Sequence, residues 1–400
     1  MVEMNSFFVP RLHDDASVGS FEIVFGKLRA KSPADRPPLL FLAGGPGDSP
    51  LSWLTHPPFR RAFEQLAEKQ DVILLDQRGC GRSEPNWVLP PIDPEGILVE
   101  RSAALDALAN QAMALRQNSD FDAGWMTPWE SARDLPLLAS HLGVPQIDLL
   151  AVSYGTHLGM ALMKAAPELI RRAVFCGFEG PDQTWKHPQA FEKQLALLEE
   201  EMESGGLSDR VLKLLSKADK EPYVLPSGVA VGGFGLRWML GSWLGLAIRF
   251  AKLPGLVASL ESDDLSVLEK LTSGFLKSLE RPAAFYLNDL ASSASPRRLT
   301  QLQEESSSSW MGEVNFPFPD IRHAWDQPPL PEWFRANSVW DGPLLVLTGA
   351  LDCFTPTANV LEAGGGFSRL THLELGGVAH DQFLGNPSAM GWTKRHLAGV

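Results

Sequence analysis

The decapeptide IDLLAVSYGT, residues 147–156, joins a run that is apolar apart from Asp148 to a serine with a small residue two positions away on either side. Short apolar runs of this kind are typical of strands that are buried on both faces of a parallel sheet. A helical pattern follows Ser153 directly and ends near Ala166. This strand–serine–helix turn predicts a nucleophile elbow, which raises the serine Oγ above the sheet. An ordinary serine at a helix N-cap is the alternative interpretation.

Further short apolar runs alternate with helical patterns along the chain. The runs are residues 38–42, 72–75, 173–176, 343–347 and, more weakly, 370–375, while residues 21–30 predict an edge or meander strand. One helix is predicted to start at a Thr127 cap, with Pro128 at its first position and Glu130 completing a capping box, and to end before Gly143. The alternation predicts an α/β fold, with a mostly parallel sheet and flanking helices.

The alternation stops after about residue 180, and strand-like runs resume only at residue 343. The intervening stretch is rich in helical patterns, which indicates a helical lid inserted between two strands of one sheet. Ligands of open α/β sheets bind at the carboxyl ends of the strands, so such an insertion would cover the binding site. We therefore predict a first core part at 1–180, a lid at 181–334 and a second core part at 335–400.

A glycine-rich turn, LAGGPG at residues 42–47, follows one of the apolar runs. Glycines leave backbone N–H groups unshielded, and in this arrangement such a group joins the N–H of the residue after the nucleophile to form an oxyanion hole. The candidate donors are therefore Gly44, Gly45 and Tyr154. A flexible turn is the alternative, and the lack of a following G-K-[ST] excludes a P-loop.

A second turn, DQRGCGRS at residues 76–83, follows another apolar run and combines acidic and basic side chains with glycines. An Asp/Arg turn of this kind can form a buried salt-bridge corner that holds loops in place. We interpret this motif as structural.

Two further residues complete a predicted catalytic triad with Ser153. Asp352 lies after the run at 343–347, and His380 follows the next strand-like run. The chain order Ser, Asp, His is the one that nucleophile-elbow folds use. His380 would take the serine proton, while Asp352 would hold the imidazole in the required tautomer. Asp381 is an alternative partner for His380, but adjacent side chains rarely face one another.

Composition restricts the partners that the chain could bind. The formal net charge is −13, which disfavours nucleic acid and anionic membranes as partners. The three cysteines are widely spaced and include no C-x-x-C, and there is no signal-peptide pattern, so a reducing, cytoplasmic location is expected. We find no metal-binding motif and predict neither a metal nor a cofactor. The sequence does not predict an oligomeric state.

Three motifs resemble the proline iminopeptidase family of serine peptidases, which has the α/β-hydrolase fold and includes related tripeptidyl and prolyl aminopeptidases. They are GGPG at residues 44–47, DQRGCGRS at 76–83 and the elbow at Ser153. The resemblance covers about residues 20–180 and 335–400. It implies attack by the serine on an acyl carbon, an acyl-enzyme and hydrolysis by water. The sequence departs from the family pattern at three places: Ala43 before GGPG, Ala151 in the elbow, and the segment that follows Asp352.

An aminopeptidase must recognise a free α-amine, which requires carboxylates near an apolar pocket. In the family such acids come from the lid and its approaches, which makes Glu179 and Asp182 the candidates here. The alternative interpretation is that Glu179 is simply an exposed acidic residue in a loop. Aromatic residues of the lid could line an apolar pocket, although we expect most of them to form the lid's own core; they are Trp238, Trp243, Phe250 and Trp310.

The favoured hypothesis is a serine aminopeptidase of the proline iminopeptidase type that acts on small peptides. An esterase or other acyl or amide hydrolase with the same triad, including one in a biosynthetic pathway, is the second. A catalytically silent hydrolase fold that acts as a binding protein is the third, and the complete triad argues against it.

Overall fold

A computed structural model describes residues 2–117, 120–203 and 205–400. Its strands are β1 (Val2–Leu12), β2 (Asp15–Leu28), β3 (Leu39–Leu42), β4 (Val72–Leu75), β5 (Ile147–Val152), β6 (Ile170–Cys176), β7 (Tyr223–Val224), β8 (Ala230–Val231), β9 (Leu344–Leu351) and β10 (Leu370–Ala379). Eight of them form one sheet in the order β1-β2-β4-β3-β5-β6-β9-β10, and β7 pairs with β8. The sheet is parallel from β4 to β10, while β1 and β2 are antiparallel additions.

Helices flank the sheet and fill the long connection between β6 and β9. They are α1 (Pro50–Trp53), α2 (Pro57–Leu66), α3 (Arg101–Arg116), α4 (Pro128–Leu142), α5 (Tyr154–Ala165), α6 (Pro188–Glu201), α7 (Leu207–Ala218), α8 (Gly233–Gly241), α9 (Ala247–Phe250), α10 (Leu253–Glu261), α11 (Ser266–Ser278), α12 (Ala283–Ser292), α13 (Pro296–Ser308), α14 (Arg322–Trp325), α15 (Glu332–Arg335), α16 (Thr357–Ala363) and α17 (Pro387–Ala398). Short 3₁₀ helices occupy Ala123–Trp125, Pro167–Leu169 and Gly364–Gly366. None of the helices in the described part of the chain is long and apolar enough to cross a bilayer.

The central strands confirm the predicted α/β sheet. Every residue of β3, β4 and β5 is buried, as expected for strands with helices on both faces. The sequence did not predict β1, whose apolar signal is diluted by polar residues and by Pro10. That proline is compatible with its place, because β1 is an edge strand and an edge position does not need every N–H.

The predicted start of α4 is confirmed, apart from one contact. The Thr127 hydroxyl accepts a hydrogen bond from the backbone N–H of Glu130, and Gly143 ends the helix in the left-handed conformation. Glu130, however, does not complete a capping box: its carboxylate accepts the backbone N–H of His13 at 2.8 Å instead. This contact ties α4 to the loop that joins β1 to β2.

Residues 177–343, between β6 and β9, form what we call the inserted segment. It contains α6 to α15 and the small β7–β8 pair. The predicted lid boundary at residue 334 falls one residue before the end of α15. Trp238, Trp243 and Phe250 are buried in a hydrophobic cluster composed mainly of residues of this segment, against which Trp310 packs. The interpretation of these aromatic residues as core residues of the lid is therefore confirmed.

Candidate active site

Ser153 lies in the sharp turn between β5 and α5, at the carboxyl end of the central strand. Its backbone has φ 56° and ψ −129°, a conformation that costs a non-glycine residue about 1–3 kcal/mol. The turn also needs a small residue after it. A Cβ on Gly155 would approach the carbonyl oxygen of Leu42 to 2.3 Å. The geometry is that of the predicted nucleophile elbow.

The glycine-rich turn after β3 lies directly against this serine. A Cβ on Gly44 would come within 2.8 Å of the Cβ of Ser153, so the close approach depends on the glycine. Gly44 and Gly45 both line a cavity that Ser153 also lines. Tyr154 is the first residue of α5, where backbone N–H groups lack intrahelical acceptors. The three predicted oxyanion-hole residues are thus at or next to the serine.

Asp352 and His380 follow directly on β9 and β10, and their side chains are hydrogen-bonded. His380 Nδ1 lies 2.8 Å from Oδ2 of Asp352. The Asp352 carboxylate is completely buried and also accepts three hydrogen bonds, from the backbone N–H groups of Phe354 and Thr355 and, at 2.6 Å, from the Thr355 hydroxyl. Four donors therefore fix this carboxylate and orient the imidazole.

The pKa values of this pair are shifted in opposite directions. Burial alone would raise the pKa of Asp352, but the charge of His380 and the hydrogen bonds from His380 and Thr355 outweigh it, so the pKa lies below its usual value. Burial lowers the pKa of His380, but the charge and hydrogen bond of Asp352 outweigh that effect, and the pKa lies above 6.5. The folded protein therefore favours an ionised Asp352 carboxylate and makes the His380 imidazole a stronger base than usual.

Ser153 and His380 line the same cavity, at the carboxyl edge of the sheet. No hydrogen bond between the Ser153 hydroxyl and the imidazole is present among the described residues. Catalytic hydrogen bonds are often long before substrate binds and shorten in the substrate complex. Asp381, the alternative partner of His380, accepts instead the backbone N–H groups of Ala247 and Ile248 at the start of α9.

The cavity has a volume of about 400 Å³ and is bounded by both the core and the inserted segment. Aromatic side chains form much of its wall: Trp53, Phe59, Trp185, Phe191, Phe285, Phe316, Phe318, Phe354 and Phe383. The four aromatic residues named from the sequence are not among them. The size and lining suit a small substrate with an apolar group.

Of the two predicted acidic residues, only Glu179 lines the cavity. It lies three residues after the end of β6 and is buried, and its carboxylate forms an ion pair with Lys186. Asp182 does not line the cavity. Its carboxylate accepts the backbone N–H and the hydroxyl of Ser295, both at 2.6 Å, and so holds the residue that caps α13. This placement gives Asp182 a structural contact rather than one with a ligand.

Four charged residues that were not predicted from the sequence also line the cavity: Asp48, Lys186, Arg281 and Asp289. Burial raises the pKa of Asp289 well above its usual value, and the nearby charge of Glu179 raises it further. Burial also raises the pKa of Asp48, although the nearby positive charges of Arg281 and His380 offset part of this increase. Asp48 directly follows the GGPG turn and could have been found from that position, whereas no sequence signal marks Asp289 or Arg281.

The DQRGCGRS turn has the predicted structural role, although its acid and base do not pair with each other. Asp76 accepts hydrogen bonds from Ser49 and Leu51, which join the turn to α1, and from the backbone N–H of Arg82 within the turn. Arg78 is buried and binds the carboxylate of Asp134 in α4, with Nε 2.8 Å from Oδ2. The described residues contain no cluster of three His, Cys, Asp or Glu side chains that could hold a metal.

Comparisons with known proteins agree with this geometry. A family model described as alpha/beta hydrolase fold matches residues 37–214. The chain is 29% identical to a tripeptidyl aminopeptidase of Streptomyces coelicolor over 159 residues, 37% of this chain and 29% of that protein. It is 26% identical to a probable proline iminopeptidase of Leptolyngbya boryana over 191 residues, 45% of this chain and 47% of that protein.

The chain thus spans less than half the length of either of these relatives. A solved structure of a proline iminopeptidase from Mycobacterium smegmatis aligns over 99% of both chains, with 14% identity and a TM-score of 0.46. The family model, the sheet topology and the placement of the motifs together settle the fold. The chain has the α/β-hydrolase fold and is similar, over less than half of its length, to proline iminopeptidases and tripeptidyl aminopeptidases.

Proposed function

We propose that this chain is a serine hydrolase in which Ser153 is the nucleophile, His380 the general acid–base and Asp352 the residue that orients His380. One observation carries the proposal: the 2.8 Å contact between His380 and Asp352 borders the same cavity as a serine in a strained strand-to-helix turn. Because Asp352 is buried, water does not compete for its hydrogen bond to the imidazole.

The reaction would begin with attack of the Ser153 Oγ on the acyl carbon, as its proton passes to Nε2 of His380. The N–H groups of Tyr154 and of the Gly44–Gly45 turn would bind the resulting oxyanion. His380 would then give the proton to the leaving nitrogen or oxygen, and the acyl-enzyme would remain. Water would attack the acyl-enzyme, with its proton passing to His380 and then back to Ser153.

We further propose that the substrate is a small peptide from which the enzyme releases the N-terminal residue. Glu179 and Asp289 support this substrate class, because both are buried acids that line the cavity. The described residues give the Asp289 carboxylate no hydrogen-bond donor, so a protonated α-amine would supply one. The similarity to proline iminopeptidases and tripeptidyl aminopeptidases points to the same class.

The test is a panel of aminoacyl p-nitroanilides, assayed with the wild type and with Ser153→Ala. We expect the alanine variant to lose turnover by roughly 10⁴- to 10⁶-fold without unfolding, and to lose labelling by a fluorophosphonate. Ser242→Ala is the matched control, since Ser242 lines the same cavity and its hydroxyl donates to the carbonyl of Met239. Full turnover by Ser153→Ala would refute the mechanism.

An esterase is the second candidate, and the ion pair between Glu179 and Lys186 favours it. Lys186 neutralises Glu179, the acid expected to bind an amine, and aromatic side chains form much of the cavity wall. An esterase would cleave p-nitrophenyl acyl esters rapidly and would not distinguish a free amine from an acetylated one. Rapid ester cleavage with no release of p-nitroaniline from any free-amine substrate would support an esterase over an aminopeptidase.

A further inference from the structure

Arg281 is a cation on the wall of the candidate active site that pairs with no acid among the residues described by the structure. It directly precedes Pro282 and α12, and it is partly buried and lines the cavity. Among the described residues, its guanidinium forms no ion pair and no hydrogen bond. Its Cζ lies over the ring of Phe285, 4.9 Å from the ring centroid. Such a contact with a ring uses no N–H group of the guanidinium as a hydrogen-bond donor to an oxygen, so these groups can bind a planar anion.

The other cations and acids around the cavity are arranged differently. Lys186 is paired with Glu179, and Asp381 accepts two backbone N–H groups. Asp48 and Asp289 lie close enough to Arg281 for its charge to act on them, but neither is within salt-bridge distance of it. The free guanidinium therefore has acids near it but none bound to it.

Arg281 also lies beside the turn that carries the predicted oxyanion hole. A Cβ on Gly47 would come within 2.7 Å of Cγ of Pro282, so the residue after Arg281 packs against the GGPG turn. A second cavity of about 150 Å³ shares Arg281 and Phe285 with the first. Arg281 therefore lies where it could contact the part of a substrate that extends beyond the reacting carbonyl group.

We propose that Arg281 binds a substrate carboxylate, and that the preferred substrates are short free peptides whose C-terminal carboxylate reaches it. This inference rests on the proposed aminopeptidase function and adds the opposite end of the substrate. A guanidinium binds a carboxylate through two parallel N–H···O hydrogen bonds, which a neutral amide cannot accept in the same way.

The spacing along α12 suits such a substrate. Asp289 lies six residues after Ala283, the first residue of α12, which is about 9 Å along the helix axis. Arg281 directly precedes the N-cap Pro282, so it lies at the N-terminal end of α12 and on the order of 10 Å from Asp289 along that axis. A dipeptide spans about 7 Å when extended, with a hydrogen bond of about 3 Å at each end. A zwitterionic dipeptide, with its amine at Asp289 and its carboxylate at Arg281, is therefore comparable in length to the separation of these two residues along the helix.

The experiment compares prolyl-alanine with prolyl-alaninamide, which differ only in the terminal carboxylate. For the wild type we expect kcat/KM to be roughly 10- to 100-fold higher for the free acid, the range of one charge-assisted hydrogen-bonded pair. In Arg281→Gln the ratio should fall to near one, and Arg281→Lys should keep part of it. Arg297→Gln removes an exposed arginine outside the cavity and should keep the wild-type ratio.

Binding provides a second readout, independent of turnover. Calorimetric titration of Ser153→Ala with prolyl-alanine should show roughly 10- to 100-fold weaker affinity when Arg281→Gln is added. If the wild type cleaves the acid and the amide equally, or if Arg281→Gln slows both equally, the carboxylate role is wrong while the aminopeptidase stands. If neither dipeptide is cleaved or bound but acyl esters are cleaved, the proposed function fails, and this inference fails with it.

Discussion

The Nδ1 atom of His380 lies 2.8 Å from Oδ2 of Asp352, across 28 residues of chain and the ends of two neighbouring strands. β9 and β10 are parallel and adjacent, so their carboxyl ends reach the same edge of the sheet. Ser153 reaches that edge at the end of β5, two strands away in the order β5-β6-β9. The parallel sheet thus brings together three side chains that are distant in sequence.

Asp352→Asn tests the electrostatic part of this relationship. His380 must be neutral to accept the serine proton, so kcat/KM rises with pH through its pKa. In the wild type Asp352 raises that pKa above 6.5, despite burial, and the acid limb of the profile should therefore lie above pH 6.5. Without the carboxylate, burial is the largest remaining effect on the pKa of His380, and the acid limb should move to lower pH. We expect kcat to fall by about 10³- to 10⁴-fold, because the amide also favours the wrong tautomer.

The pH profile of kcat/KM between pH 5 and 9 is the measurement for this variant. Thermal unfolding at each pH provides the control for loss of structure. An unchanged acid limb in Asp352→Asn would mean that the group seen in the profile is not His380.

Thr355→Val tests whether the Thr355 hydroxyl positions Asp352. The hydroxyl is buried and donates to Oδ2 at 2.6 Å, on the same oxygen that accepts from His380. Removing it should raise the pKa of Asp352, cost about 1–2 kcal/mol of stability and lower kcat by roughly tenfold, with KM unchanged. Thr355→Ser keeps the hydroxyl and should restore kcat. A loss of stability without any loss of kcat would make the contact purely structural.

The strands that could be predicted from the sequence are those in which apolar residues and buried positions coincide. The runs that became β3, β4 and β5 are buried along their whole length, so their sequences contain little besides apolar residues. The edge strand β1 buries few residues and could not be distinguished from a loop by pattern. The helical lid was predicted as a region only, because its packing depends on contacts that no local pattern encodes.

The residues of the candidate site also divide into those that the sequence predicts and those that it does not. Ser153, Asp352 and His380 each follow a strand directly, and position relative to a strand is a sequence property. The charged wall of the cavity is different, since Asp289 and Arg281 come from the inserted segment and reach the cavity only through its tertiary packing. Asp182 shows the converse: its place in the sequence beside Glu179 predicted a shared role, yet its carboxylate binds Ser295.

Gly155→Ala tests the close contact between the elbow and the turn after β3. The added Cβ would meet the carbonyl oxygens of Leu42 and Ala43 at 2.3 and 2.9 Å, and both are backbone atoms that cannot rotate away. We expect a loss of about 1–3 kcal/mol in stability. Turnover should fall by roughly 10²-fold, because the turn that carries Gly44 must shift by a fraction of an ångström or more.

Gly255→Ala is the matched control for that variant. Gly255 lies within α10, and a Cβ there would meet no atom within 4 Å. Alanine should stabilise the helix by about 0.5–1 kcal/mol and leave turnover at the wild-type rate. Urea unfolding and p-nitroanilide assays on both variants separate the two effects. Equal stability and activity in Gly155→Ala and the wild type would show that the elbow is looser than its geometry indicates.

Glu179→Gln tests amine recognition, with Asp182→Asn as its counterpart outside the cavity. The glutamine variant removes a buried negative charge and leaves Lys186, its ion-pair partner, to repel a protonated amine. We expect kcat/KM for free-amine substrates to fall at least tenfold, since a hydrogen bond to a charged group contributes about 1.5–3 kcal/mol. Acetylated substrates and acyl esters, which carry no such charge, should change much less.

Asp182→Asn should lower stability by about 1 kcal/mol through its contacts with Ser295 and leave both substrate classes unaffected. The double variant Glu179→Gln/Lys186→Met distinguishes amine binding from the structural value of the ion pair. Removing both charges should recover stability, because no unpaired charge remains buried. It should not recover activity on free amines if Glu179 binds the amine. Recovery of both would assign Glu179 to the structure and transfer amine recognition to Asp289, the other buried acid of the cavity.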